Sequence, residues 1–207
     1  MLSWLMAKYY DAMLRDAEEK CLHDWRKGLL TDVQGDIIEL GCGTGANLAF
    51  YPATVNHLVL AEPSAPMRQQ LNLKLAAYPH LPVFMVDYSA ESIPVADESF
   101  DAVVSTLLLC TVKDPKLALT EIHRILKPQG KLLFIEHVAA THQTNRLKWQ
   151  RRIEPFWKIL QCGCHLTRDT EKNILQAGFK FEKINRQSMR GVPGIVRPSI
   201  YGEARKI

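Results

Sequence analysis

The sequence has no long hydrophobic run. Nothing in it approaches the ~20 consecutive apolar residues that cross a bilayer, which excludes a spanning helix. The opening residues, MLSWLMAKYYDAML, carry no early basic stretch and no small-residue cleavage site, so no secretory leader is expected. An excess of one charge is also lacking. A net charge of +4 is too mild to argue for nucleic acid, and none is expected as a partner. Lys148, Arg151 and Arg152 alternate with apolar residues, as on a solvated helix face, and form no block. The five cysteines, Cys21, Cys42, Cys110, Cys162 and Cys164, are odd in number and make no CxxC pair. That pattern indicates free thiols and a cytoplasmic location, not a disulfide framework. Cys162-Gly-Cys164 lacks the two further ligands at suitable spacing that a metal centre needs, so no metal is expected. Repeats, low-complexity segments and linkers are missing too.

What is present is ordinary globular material, 47% hydrophobic and 23% charged over 207 residues, enough for one domain. Residues 1–34 read as a helical lid, with Tyr10, Met13, Leu14, Ala17, Cys21 and Trp25 at three- and four-residue steps. Leu2, Trp4, Leu5 and Met6 would suit either packing on the domain or a weak peripheral membrane contact. Residues 35–207 read as the core. Strands are expected at 36–40, 57–61, 83–86, 100–105, 131–136, 179–186 and 199–204. Helices are expected from Ser64, whose side chain can cap the first of them, to about Ala77, from Asp114-Pro115 to Pro128-Gln129-Gly130, and around 145–160 and 167–177. Strands alternating with helices imply a Rossmann-like, doubly wound, seven-stranded and mostly parallel sheet, covered by helices on both faces and closed by an antiparallel last strand. Ligands bind such sheets outside the carboxyl ends of the strands.

The segment Glu39-Leu40-Gly41-Cys42-Gly43-Thr44-Gly45-Ala46-Asn47 lies at one of those ends and is expected to open a helix. Its glycines permit a sharp turn and close approach of a ligand. Glu62 follows roughly 20 residues later, where a carboxylate can accept both hydrogen bonds of a ribose. The spacing is GxGxG, not the GxGxxG of dinucleotide sites, and Asn47 stands where a third such glycine would fall. No Lys-Ser/Thr pair follows, which excludes a P-loop. Glu39 would repel a pyrophosphate but suits a cationic ammonium or sulfonium. S-adenosylmethionine carries both cations, with a carboxylate for the loop amides.

These residues resemble the first two motifs of the class I methyltransferases. Ser89-Ala90-Glu91-Ser92-Ile93-Pro94, followed by 97–104, resembles the third, and Ile122 to Gly130 the helix and turn before strand five. The resemblance implies S-adenosylmethionine as cofactor and S-adenosylhomocysteine as product. It places Ala90 and Glu91 along the adenine edge and Thr106 and Leu107 beside the methyl group. Cys42, Asn47, Pro63 and Met67 complete the implied cofactor set. Tyr10-Asp11 resembles the Tyr-Asp pair of the lid in these enzymes, with Tyr10 either bonding the cofactor or packing the helix.

The second half narrows the family. Thr106 to Val112, Glu136 to Ala140, Gly163 to Arg168 and Arg197 to Gly202 together resemble the methyltransferase-like seven family, whose animal members are thiol S-methyltransferases held on membranes by an N-terminal anchor. The resemblance implies a small, largely apolar acceptor, with a thiol favoured. C- or N-methylation of a quinone precursor or phospholipid is the alternative. A non-catalytic S-adenosylmethionine-binding protein that engages a membrane or partner is a further one. His137 is the candidate base or thiolate partner, against a structural histidine. Cys110, Trp149 and Trp157 are expected to line the acceptor pocket, with Phe156 and Leu160 at the same helical spacing. Arg168 reads either as an anion-orienting or a surface capping residue.

Overall fold

The computed structural model describes residues 2–160 and 163–207. Helix α1 (Leu2–Ala17) continues through a π-helical turn, Glu18–Leu22, into α2 (His23–Leu30). Strands β1 (Gly35–Leu40), β2 (Val55–Ala61), β3 (Val83–Val86), β4 (Phe100–Thr106), β5 (Leu126–His137), β6 (Phe179–Ser188) and β7 (Pro198–Lys206) form one seven-stranded sheet in the order β3-β2-β1-β4-β5-β7-β6. Six strands run in one direction; β7, wedged between β5 and β6, runs against them. Strand order reverses between β1 and β4, which makes their carboxyl ends the natural ligand crevice. The remaining helices are α3 (Ala65–Leu75), α4 (Pro115–Ile125), α5 (Thr144–Leu160) and α6 (Thr170–Gln176). No helix among the described residues is long and apolar enough to cross a membrane.

The central strands are apolar on both faces because both are covered. Ile37, Ala102, Val104, Leu133 and Ile135 pack against Leu22, Trp25, Leu29 and Leu30 of the N-terminal helices and Leu71 of α3. Their sequence neighbours Ile38, Val103, Leu132 and Phe134 point the other way, onto Ala118, Leu119 and Ile122 of α4 and Ile174 of α6. Helix α4 starts where Asp114 accepts hydrogen bonds from the amides of Lys116 (2.9 Å) and Leu117 (3.1 Å), with Pro115 at its first position.

Four local expectations need correction. The glycine segment opens no full helix, only a single 3-10 turn, Leu48–Phe50. Pro52 holds the preceding Tyr51 extended (φ −73°, ψ 126°) and stops it. Ser64 stands at the N-cap of α3 but its hydroxyl caps nothing. Strand β5 begins at Leu126, not Lys131. Phe100 pairs with Leu126 and Ala102 with Lys131, so Pro128-Gln129-Gly130 bulges from the strand, with Gln129 left-handed at φ 66°. Helix α6 starts at Thr170, because Asp169 supplies its cap by accepting from Lys172 N (3.1 Å).

Candidate functional site

The turn after β1 is held from two sides. Gly41 N donates to the carbonyl of Ala61 at the end of β2 (2.8 Å), and Gly43 N donates to Glu62 Oε2 (3.0 Å). Gly41 (φ 63°), Gly43 (φ 56°) and Gly45 (φ 84°) are all left-handed, which favours glycine at each, but their surroundings differ. A Cβ on Gly41 would stand 2.6 Å from Leu108 Cδ1, so this position is closed by packing. A Cβ on Gly43 would meet nothing nearer than 4.0 Å, where Tyr10 Cε1 lies, so it would project into an open gap beneath α1. Gly45 is likewise closed, by Leu71 and Leu48. Cys42 is buried beside the loop, and burial pushes its thiol pKa up.

Glu62 is 8% exposed at the edge of this gap. Its Oε1 accepts from Ser64 N (2.8 Å), and Arg68 donates to its carbonyl (2.6 Å). A carboxylate has about four acceptor sites, so two amides leave capacity for a ligand's hydroxyls. Pro63 leads from it to α3, and Met67 of that helix faces the neighbouring cavity. Ala90 is buried and Glu91 half-buried, with Glu91 Oε1 accepting from Lys113 N (2.8 Å).

Glu39 lies behind the loop. Its carboxylate is 2% exposed and accepts from Asn47 Nδ2 (2.9 Å) and the Tyr51 hydroxyl (2.6 Å). Burial raises its pKa to about 6 against these hydrogen bonds and the charge of Arg26. Arg26, from α2, is 2% exposed and reaches Asn47 Oδ1 (2.8 Å), Thr106 Oγ1 (3.1 Å) and Glu18 (3.0 Å). The glycine turn, the end of β4 and the N-terminal helix are thus joined by one buried network. Asp11 ties α1 down from outside, accepting from Thr44 Oγ1 (2.5 Å) and pairing with Lys74 (2.5 Å).

Beyond the gap lies a cavity of about 440 Å³. Tyr10 and Leu14 of α1, Leu107, Trp157, Pro193 and Val196 contribute to its largely apolar wall, and Cys110, His137 and Cys164 line it too. Burial pushes the Tyr10 hydroxyl pKa up. Leu107 sits at φ 57°, a left-handed conformation costly for a non-glycine residue and concentrated at functional sites. The backbone after β4 is held there by Glu136, fully buried, whose carboxylate accepts from Ser105 Oγ (3.0 Å) and the amides of Leu108 (3.1 Å), Leu109 (2.9 Å) and Cys110 (3.2 Å). Arg168 is turned onto the segment after β4, where its guanidinium donates to the carbonyls of Leu109 (2.5 Å) and Val112.

His137 Nε2 lies 2.8 Å from Cys164 Sγ, and Cys110, His137 and Cys164 offer three atoms all within 4.8 Å of one another. The Cys110 thiol, then His137, bias Cys164 well below the usual thiol range, while Cys110 is pushed up. His137 Nδ1 is buried without a protein partner among the described residues.

Trp149 does not line this cavity. It is 56% exposed and stacks under Arg152 on the outer face of α5, together with Phe156, which is 71% exposed. Seven residues are about two helical turns, so 149 and 156 share one face while Gln150 and Trp157 share the inward one. Gln150, fully buried, binds Ala140 N (2.7 Å) and Ile195 O (2.8 Å). The side chains of Leu2, Leu5, Met6 and Leu160, and the whole of Cys162, lie outside the described residues.

Sequence reasoning missed Arg26, Glu136, Gln150 and the partnership of Cys164. Two left a signal: Arg26 interrupts the apolar stripe Leu22–Leu29–Leu30, and Glu136 ends the apolar run Leu132–Ile135. A larger cavity, about 650 Å³, opens at the opposite, amino-terminal ends of the strands around Gly35, Thr54, Asp101 and Gln129. It contains none of the glycine-turn residues, nor Glu62, Ala90 or Glu91, and parallel sheets bind ligands at the other end.

The sequence pattern of the methyltransferase domain matches residues 38–134. Thiol S-methyltransferase TMT1B of Rattus norvegicus is 37% identical over 211 residues, covering 100% of this chain and 84% of that protein. Thiol S-methyltransferase TMT1A of Homo sapiens is 38% identical over 172 residues, covering 82% and 70%. A S-adenosylmethionine-dependent methyltransferase from Thermotoga maritima, described as a possible histamine N-methyltransferase, shares the fold with a TM-score of 0.68 at 22% identity, covering 97% and 94%.

Proposed function

We infer that this chain, which belongs to the family of the thiol S-methyltransferases TMT1A and TMT1B, methylates the sulfur of a small, largely apolar thiol. It is a S-adenosylmethionine-dependent methyltransferase with S-adenosylhomocysteine as product. The observation that carries the thiol reading is the character of the cavity. Its wall, among the described residues, holds no Asp, Glu, Lys or Arg; besides the Tyr10 and Thr111 hydroxyls it carries the soft cluster Cys110–His137–Cys164. A phosphorylated headgroup or an ammonium would enter such a wall unpaired, at a cost of several kcal/mol.

When bound, S-adenosylmethionine supplies an electrophilic methyl group on a sulfonium sulfur. In this reading Glu62 holds the ribose hydroxyls, and Gly41, Cys42, Gly43 and Gly45 line the methionine portion with backbone. Ala90 and Glu91 border the adenine, with Pro63 and Met67 below. Glu39 acts through Asn47, bracing the turn and setting a negative field behind it. Thr106 and the strained Leu107 present the methyl group to the cavity, and Tyr10 roofs the junction. His137, Cys110 and Cys164 receive the acceptor, and Trp157 packs on its apolar body. The protein's chief task is alignment of two sulfurs about one carbon.

Gly43→Ala is expected to cost about 1–2 kcal/mol of stability through its left-handed backbone (φ 56°) but to meet no clash at the Cβ, and to weaken cofactor affinity at least tenfold by filling the gap under Tyr10. Gly41→Ala, with the same backbone strain (φ 63°) and a clash with Leu108 besides, should lower thermal stability further. Calorimetry and melting curves on the pair separate the two; equal losses of affinity and stability in both would refute the division. The acceptor is tested with matched small thiols, quinols and amines under identical conditions. Methyl thioether as the main product is expected. Turnover of quinone precursors alone would overturn the thiol reading.

Trp4 and Tyr9 are exposed beside Lys8 on α1, which supports a weak peripheral membrane contact as well. Vesicle co-sedimentation should then fall when residues 1–8 are removed, and unchanged pelleting would refute the contact.

A further inference from the structure

We propose that Cys110, His137 and Cys164 bind a zinc ion whose open coordination position takes the acceptor thiol as its thiolate. The identity of that fourth ligand rests on the thiol reading above; the three-residue site rests on geometry alone. Sequence spacing offered only Cys162 and Cys164, and the fold replaces that pair with a different set.

The three groups come from separate elements that the chain fixes independently. Cys110 follows β4, and its amide is held by the buried Glu136 carboxylate. His137 ends β5, paired to Ser199 of β7. Cys164 precedes α6, and the next residue, His165, donates its amide to the carbonyl of Cys110 (2.8 Å), joining two of the three arms directly. All three side chains are 8% exposed or less and still line the cavity. A frame that holds its ligands before the metal arrives loses little on binding.

The dimensions suit the ion. Tetrahedral zinc, with bonds of about 2.3 Å to sulfur and 2.0 Å to nitrogen, places neighbouring ligand atoms about 3.5–3.8 Å apart. Here the atoms lie within 4.8 Å of one another, and the 2.8 Å His137–Cys164 contact has to open by less than about 1 Å. Two thiolates and one imidazole select zinc or another soft ion over magnesium or calcium. Two sulfurs, one nitrogen and a vacant fourth position form the pattern of a catalytic zinc, not of a closed structural site. The charges also balance: two thiolates neutralise the dication in a wall with no other formal charge among the described residues. A thiolate in the fourth position then leaves the site with one negative charge facing the cationic methyl donor.

The chemistry closes in atoms and electrons. The incoming R–SH displaces a zinc-bound water, and its proton leaves to solvent. The bound sulfur forms its bond to the methyl carbon as the sulfonium–carbon bond breaks, and that electron pair goes to the departing sulfur. The product thioether is neutral, a poorer zinc ligand than thiolate, and dissociates.

The experiment is titration of metal-stripped full-length protein with Co²⁺, followed by visible and near-ultraviolet absorption, with Zn²⁺ as competitor. One equivalent of tetrahedral cobalt with thiolate-to-metal charge transfer is expected. The bands should shift when a small thiol is added and vanish in Cys110→Ser and Cys164→Ser. Melting curves show whether those variants fold, and the wild-type spectrum stands without them. Absence of thiolate–cobalt bands in the wild type would overturn the metal site. A cobalt spectrum blind to thiols would overturn acceptor ligation. Equal thiol methylation by metal-free and zinc-loaded protein would remove the zinc from the reaction while leaving the thiol reading intact. Cobalt bands that respond to thiols, from a protein that forms no thioether, would support the site and refute the reading.

Discussion

Replacing Glu62 by alanine is expected to lower S-adenosylmethionine affinity by about 30- to 1,000-fold. The figure follows from two hydrogen bonds to a charged acceptor, worth about 1.5–3 kcal/mol each, discounted because they are not independent. The side chain also binds the amides of Gly43 and Ser64, so its loss frees the turn that faces the ligand. Glu62→Gln keeps one acceptor oxygen and should fall between the wild type and the alanine variant. Folding should change less than binding, because burial already opposes the ionised form and holds the Glu62 pKa up. Calorimetry with S-adenosylmethionine and S-adenosylhomocysteine reads the effect. Unchanged affinity in Glu62→Ala would remove this residue from the cofactor site.

Arg26→Met is expected to cost about 3 kcal/mol of stability, the low end of the range for breaking one side of a buried ion pair. Glu18 keeps partial access to water, with 28% of its side chain exposed, which places the loss at that end. The guanidinium also serves Asn47 and Thr106; without it Asn47 Oδ1 is left unmet in the interior, while Thr106 Oγ1 keeps only the Asn47 Nδ2 donor (3.1 Å). In a chain of this size the loss corresponds to a fall of about 6–12 °C in melting temperature. Glu39, already raised to about 6 by burial, would lose the positive charge that partly offsets it and rise further. Arg26→Lys keeps the charge but not the planar fork, so it should recover only part of the loss. Denaturant melts of both variants test this. A change within ~0.5 kcal/mol in Arg26→Met, as for an ordinary surface substitution, would show that the network carries no stability.

The two variants probe the same turn from opposite sides. Glu62 faces the gap, and the sequence marked it, because an acid at the end of the second strand is a local pattern with a known partner. Arg26 backs the turn, and only its intrusion into an apolar helix stripe hinted at it. The aromatic residues of α5 show the limit of periodicity. Spacing grouped Trp149, Phe156 and Trp157, but it does not say which side of a helix meets the body of the protein. Gln150, with its buried amide, identifies the inward face that Trp157 shares.

The sequence by itself determined the architecture. Alternating strand and helix signals, read with the handedness of crossovers, leave few ways to build the sheet. The glycine turn and Glu62 are contiguous with the strands that carry them. Only the tertiary structure decided the apolar cavity and its cluster of soft side chains. Cys110, His137 and Cys164 meet because β4 and β5 pair in parallel and end together, and because the segment before α6 folds back onto the first of those ends. His137 and Cys164 are 27 positions apart and share no local pattern. Their contact exists only once strand pairing has brought those ends side by side.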